Sequence, residues 1–275
     1  MKKKDANELS LSARPASPPV SREGLYITLQ SWLLVTINTS LLHRELDRNS
    51  LSISMWVLLF QVAHCFPASF RTADLKPSCS LHPAVLPDSC MASWATTAVA
   101  TFSARLCYQR NVDKPLSVQY ALNCMEVGAC GGGTAAQAWA FLQSHGIPSA
   151  ACIPYEGSPG ACNSTCVDGS PMELDRPQGY RRVRGVPAIQ MAILQSGPVQ
   201  ACLDIYKDFE IYNGGVYTHS WGGYDRYACI LLYGWQGNAW WAYVPWVQYW
   251  GDKGSGLIQM GACRVENDVW SADPL

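Results

Sequence analysis

The sequence predicts an α+β protein in two halves, helices first and strands later, with any binding cleft between them. Three observations carry that prediction. Of the 275 residues 48% are apolar, 15% are charged and 11 are Trp, a composition that supplies a large core and excludes wholesale disorder. Apolar residues recur at helical spacing in three segments that end before Gly197. Beyond Gly197 they gather in short runs separated by Gly-rich turns.

The first helix is expected over Ser93–Tyr108, where Trp94, Ala98, Val99, Phe102 and Leu106 form a stripe behind a boundary Ser. A second is expected over Thr134–Gln143, with Trp139 and Phe141 for the core and Gly146 as its stop. A third runs over Pro187–Gln195, with Pro in its first turn and Gly197 after its end. Strands are expected over Val199–Ile205, Gly215–Thr218, Cys229–Tyr233, Trp240–Tyr243 and Gly256–Met260. No internal repeat is present.

Charge and cysteine usage narrow the function classes. With 20 Lys+Arg against 21 Asp+Glu the net charge is −1, which gives no general attraction to nucleic acid or an anionic membrane. Twelve Cys without a Cys-x-x-Cys pair point to disulfides in an oxidising compartment rather than to a metal site. Residues 1–54 are read as an unstructured leader, or as sequence upstream of a true start at Met55. Met55–Cys65 has the apolar core and small-residue end of a secretory signal. Leu25–Leu42 is too interrupted by polar residues for a stable membrane span. A secreted protein, or one of the endolysosomal lumen, is expected.

Other features carry little chemistry on their own. Gly131-Gly132-Gly133 lacks the Lys-Ser/Thr ending of a P-loop and the preceding strand of a dinucleotide fingerprint. Arg181, Arg182 and Arg184 read as a solvated face beside Glu173 and Asp175. Ser93 stands at a helix start, where a nucleophile gains from the positive end of the helix dipole, but a serine needs a base. No cofactor and no metal are implied.

A set of motifs in one order is more specific. Cys90-Met91-Ala92-Ser93-Trp94-Ala95 resembles the Cys-Gly-Ser-Cys-Trp-Ala segment that opens the central helix of papain-family cysteine peptidases. Phe66-Pro67-Ala68-Ser69-Phe70 is similar to the mature start of cathepsin B, and Cys130-Gly131-Gly132-Gly133 to the family's Cys-Asn-Gly-Gly. Gly197-Pro198-Val199, Tyr206-Lys207-Asp208-Phe209 and Gly215-Val216-Tyr217-Thr218-His219 follow the cathepsin B pattern, as does Trp246 with Trp250-Gly251-Asp252-Lys253-Gly254. The resemblance covers about residues 66–270 and implies a papain-like two-lobed fold. The helical lobe would span about 66–175 and the β-barrel-like lobe about 176–275. It further implies the disulfides Cys79–Cys107, Cys90–Cys130, Cys124–Cys162 and Cys152–Cys166, leaving Cys65, Cys202, Cys229 and Cys263 unassigned. Asn163-Ser164-Thr165 is a glycosylation sequon.

The same resemblance implies a degenerate active site. Papain-type catalysis uses a Cys nucleophile, a His base, an Asn that orients the His and a Gln that helps stabilise the oxyanion. The matching positions here are Ser93, Ala228, Val244 and Pro87. His219 stands nine residues before Ala228, where cathepsin B also carries a non-catalytic His, and His145 reads as a helix cap. The Ser-for-Cys change is similar to the tubulointerstitial nephritis antigen group, secreted matrix glycoproteins of this branch, although that group keeps the His. In the cleft, Gly132 and Gly133 match glycines whose backbone pairs with an extended peptide, and Trp246 matches the wall of the primed side. Asp268 matches the acid at the base of a pocket that favours basic side chains. The expectation is a non-catalytic binder of peptide or protein, extracellular-matrix partners included. The alternatives are an active peptidase, of Cys type or dependent on Ser93, and a decayed gene copy.

Overall fold

The computed structural model describes residues 66–83, 90–125 and 129–274. The leader, the signal-like segment, Cys65 and Pro87 lie outside the described residues. The chain opens with strand β1 (Ser69–Arg71) and a single turn, α1 (Thr72–Leu75). The helical half follows with α2 (Ser93–Arg110), α3 (Val118–Cys124) and α4 (Ala135–His145). After a long irregular segment come β2 (Arg181–Val183), α5 (Val186–Ser196) and β3 (Val199–Tyr206). The remainder is β4 (Val216–Tyr217), β5 (Tyr224–Gln236), β6 (Ala239–Tyr243), β7 (Ser255–Gln259) and β8 (Asp268–Ser271).

Helix α2 is the axis of the fold. It carries Thr96, Thr97, Val99 and Thr101, residues with little preference for a helix. Tertiary packing supplies the stability instead: every residue from Trp94 to Tyr108 is buried, so both lobes cover it rather than one stripe. Its N-cap is Ala92, with Ser93 already inside the first turn, and no side chain caps it. At the other end Asn111 adopts the left-handed conformation and returns its N–H to the Cys107 carbonyl. Helix α4 starts at a reciprocal capping box between Thr134 and Gln137 and stops at Gly146. Pro187 sits in the first turn of α5 and Gly197 follows its end.

The strands form one sheet in the order β2-β8-β3-β5-β6-β7-β4, antiparallel throughout except for the parallel β4–β7 pair. Strand β5 is its spine, running antiparallel to β3 on one side and β6 on the other. Its far end also receives β1, Phe70 lying opposite Trp235. That approach requires Gly234, where an added Cβ would fall 2.1 Å from the Phe70 carbonyl oxygen.

The two halves exchange segments at their ends. Strand β1 belongs by sequence to the helical half but pairs within the sheet. From α2, the fully buried Arg105 donates to the carbonyls of Gly197, Pro198 and Ala272 and pairs with Asp273. The packing thus joins segments from both sides of the boundary expected near residue 175. Between α4 and β2 the chain makes only isolated bridges, and the disulfides Cys124–Cys162 and Cys152–Cys166 anchor this stretch. Cross-links that shorten a loop of irregular chain stabilise chiefly by restricting the unfolded state.

Candidate functional site

The site is assembled where the N-terminus of α2 meets β5. Disulfide Cys90–Cys130, with the bond from Met91 N–H to the Cys130 carbonyl, holds the glycine loop beside the start of α2. Gly133 lies flat against the Trp94 indole, and a Cβ there would come within 2.6 Å of a ring carbon. Gly132 has φ 94°, in the region where side chains are disfavoured. Ser93 Oγ meets β5 directly, accepting a bond of 3.2 Å from the Cys229 N–H. The Cys229 carbonyl in turn accepts from Thr97 Oγ1 at 2.8 Å and from Trp246 Nε1 at 2.7 Å. One backbone unit, next in sequence to Ala228, thus joins Ser93, Thr97 and Trp246.

The residues next to this junction are mostly apolar, although Gln200 Oε1 is buried there without a hydrogen-bond partner among the described residues. Ala228 lies opposite Leu203 in the β3–β5 register and is buried. Val244 is fully buried, its N–H bonded to the Gly254 carbonyl. Trp246 is nearly buried, and the Arg226 guanidinium stands over its ring at 5.4 Å while pairing with Glu210 and Asp225. Gln200 reaches across from β3 to donate to the Trp94 carbonyl.

The described histidines are engaged elsewhere. His82 pairs with Asp113, and His145 stacks on Phe141 and meets Ser144. His219 stacks on Tyr206 at 3.8 Å between centroids and bonds to Asp208. Asp208 accepts as well from Tyr217 OH and from the N–H groups of Ser220 and Trp221. Burial alone would raise the Asp208 carboxyl, but these donors outweigh it and hold the group well below the usual carboxylate range. His219 therefore serves a structural network of the β lobe.

Asp268 lies two strands away from the junction, opposite Cys202 in the β3–β8 register. Its Oδ1 accepts from Trp270 Nε1 at 2.8 Å and pairs with Arg182 at 3.3 Å, while Oδ2 accepts from Tyr227 OH at 3.2 Å. The acid expected to receive a basic side chain from a ligand is thus already met by Arg182. Asn163 is exposed on the loop between Cys162 and Cys166.

Two features escape sequence reasoning. Disulfide Cys202–Cys229 links directly opposed residues of β3 and β5, joining two cysteines that the sequence left unassigned. Tyr227 binds Asp268 across the face of β3. Both depend on the β3–β5 register, which no local motif specifies. Cys263 carries a free thiol, raised by burial. No group of three or more His, Cys, Asp or Glu among the described residues is placed to hold a metal ion, and no described helix is long and apolar enough to cross a membrane.

Comparison with known proteins gives the descent. Residues 66–272 match the model of the papain family of cysteine proteases. Cathepsin B-like CP1 of Giardia intestinalis is 31% identical over 224 residues, spanning 74% of this chain and 73% of that protein. Cathepsin B of Dictyostelium discoideum is 29% identical over 235 residues, covering 76% and 75%. Among solved structures, procathepsin B from Trypanosoma congolense superposes with a TM-score of 0.71 at 27% identity, over 78% of this chain and 80% of that one. Bromelain from Ananas comosus, at 24% identity, shares the fold with a TM-score of 0.65, over 76% of this chain and 99% of that one. The helices and the sheet are those of the two-lobed α+β papain-like fold, and the chain belongs to the papain family with cathepsin B-like relatives.

Proposed function

We propose that this protein is a non-catalytic member of its family that binds an extended peptide or protein segment in the cleft without cleaving it. The observation that carries the reading is the contact at Ser93. The hydroxyl accepts from a backbone N–H, while the adjacent Ala228 and the buried Val244 offer neither a base nor a group to orient one. An unassisted serine hydroxyl is a poor nucleophile at neutral pH, and the dipole of α2 is no substitute for a proton acceptor. Loss of one oxyanion donor alone typically costs about 2.7–4 kcal/mol, and the family position for that donor is Pro87. The apolar character of Ala228 and Val244 also supports a retained fold over decay, since neither leaves a buried side-chain polar group unpaired.

The binding half of the proposal rests on the glycine loop. Gly132 and Gly133 present backbone without side chains beside Ser93, the arrangement by which an extended segment can add its own backbone bonds. Secretion or delivery to the endolysosomal lumen, glycosylation at Asn163 and matrix partners belong to the same proposal. The five disulfides fit an oxidising compartment.

The test pairs an epoxide label that alkylates papain-type nucleophiles with a peptide-binding assay on the disulfide-intact protein. The expected result is no adduct by mass spectrometry together with saturable binding of extended peptides. An adduct at Ser93 would overturn the non-catalytic half. Failure of every peptide in a diverse library to bind would overturn the binding half.

A further inference from the structure

A cavity of about 190 Å³ lies at the seam of the two halves, remote from Ser93. The helical half supplies Ala104 and Tyr108 of α2, with Cys79 and Leu81 from the segment that the Cys79–Cys107 disulfide ties to that helix. The sheet half supplies Pro198, just before β3, and Tyr233 of β5. Ala104 and Tyr108 follow Ser93 on α2 by three and four turns, which places them about 16 and 22 Å along the helix axis from it. Ala104 and Tyr233 are buried at the base of the cavity, whereas the exposed Ala73 marks its mouth.

The polar side chains of the lining are engaged outside it. Tyr108 OH donates to the Leu194 carbonyl at 3.1 Å, and Ser80 Oγ donates to Asp113 at 3.1 Å. Tyr233 is hydrogen-bonded to Ser255. Arg71 pairs with Asp74 at 3.0 Å and lies 5.5 Å from the centroid of the Trp241 ring. None of these partners lines the cavity, so the two tyrosines offer it ring carbon and Arg71 brings no unanswered charge. Burial raises both phenols, which keeps them neutral. Thr72, buried beside Arg71, is the remaining hydroxyl of the lining.

Size and lining together select a ligand. An apolar cavity of about 150 Å³ in a protein core stays dry and admits benzene. At about 190 Å³ this one has room for a six-membered ring with one or two further heavy atoms. We propose that it is a binding site, separate from the peptide cleft, for a small uncharged aromatic compound: a single ring with no more than a short substituent, held between the two halves of the fold. The rings of Tyr108 and Tyr233 on its wall suit an aromatic guest, which restores dispersion contacts that an empty cavity forfeits. A charged guest would leave water without gaining a counter-charge, since Arg71 already has Asp74. A hydroxyl on the ring has Thr72 on the wall to meet it.

Titration of the disulfide-intact protein with p-cresol, benzoate and benzylammonium, three guests of similar size and different charge, tests this by NMR and thermal melts. The expected result is saturable p-cresol binding with a Kd of about 1 mM or tighter, a raised Tm, and a nuclear Overhauser contact from the p-cresol ring to the Ala104 methyl. Benzoate and benzylammonium are expected to bind about tenfold more weakly or not at all. Ala104→Leu fills the base and Ala73→Phe narrows the mouth, and each is expected to weaken p-cresol about tenfold. Ala73 is exposed, so its variant reads the site even if the core change lowers the melting temperature. No saturable binding of p-cresol up to about 10 mM would overturn the proposal. So would binding without contact to the Ala104 methyl, or binding of either charged guest as tight as that of p-cresol.

Discussion

Asp208 shows how far one side chain can decide local order. It is buried, yet it stays ionised because Tyr217, His219 and the N–H groups of Ser220 and Trp221 all donate to it. Those bonds close the turn that follows β4 onto the turn after β3. Replacing Asp208 by Asn removes the charge that strengthens each bond, and a loss of about 2–4 kcal/mol in unfolding free energy is expected by urea titration. The pH dependence follows from the direction of its shift. A carboxyl depressed in the folded state contributes stability above its unfolded value, near 4, and loses it as pH falls through the folded value. The wild-type protein should therefore lose more stability than Asp208→Asn between pH 5 and pH 2. Equal losses in the two proteins would deny Asp208 this role. In the sequence His219 could be separated from the catalytic position by spacing, but its partner was not legible. Asp208 lies 11 residues earlier, and only the fold brings the two to 3.0 Å.

At the scale of elements, punctuation residues were the readable part. Thr134, Gly146, Pro187 and Gly197 marked the ends of α4 and α5 to within two residues. Five elements were not readable for a common reason. Strands β1, β2 and β8 are three or four residues long, α1 is four and α3 is seven, so each depends on its partners more than on its own pattern. Strand β5 was read only as Cys229–Tyr233. Its first residues, Tyr224–Tyr227, are polar or exposed and are held as strand by pairing with β3. The docking of β1 gives a direct test of such dependence. Gly234→Ala places a Cβ against the Phe70 carbonyl and should cost about 3 kcal/mol, with β1 amides losing protection from hydrogen exchange before the rest of the sheet. Uniform protection with unchanged stability would mean that β1 does not need that close approach.

At the scale of the whole molecule, the family and its two-lobed fold were legible because seven short motifs stand in one order over about 200 residues. The interlock between the lobes was not, because it depends on one buried charge. Arg105 reaches from α2 to the carbonyls of Gly197, Pro198 and Ala272 and to Asp273, tying the central helix to both ends of the β lobe. Burial lowers its guanidinium while Asp273 opposes that shift. Arg105→Met would leave three buried carbonyls without this donor and Asp273 with only Gln109 and Arg181, and about 3–5 kcal/mol of stability should be lost, with both lobes loosening together by hydrogen exchange. Disulfide pairing divides in the same way. Four bridges followed from resemblance, whereas Cys202–Cys229 required the strand register. The central proposal is that this papain-family protein binds an extended peptide beside Ser93 without cleaving it. It is tested most directly by incubating the folded, disulfide-intact protein and Ser93→Ala with a set of fluorogenic peptides of varied sequence. The account predicts no release above the buffer control from either protein; release by the wild-type protein that Ser93→Ala abolishes would contradict it.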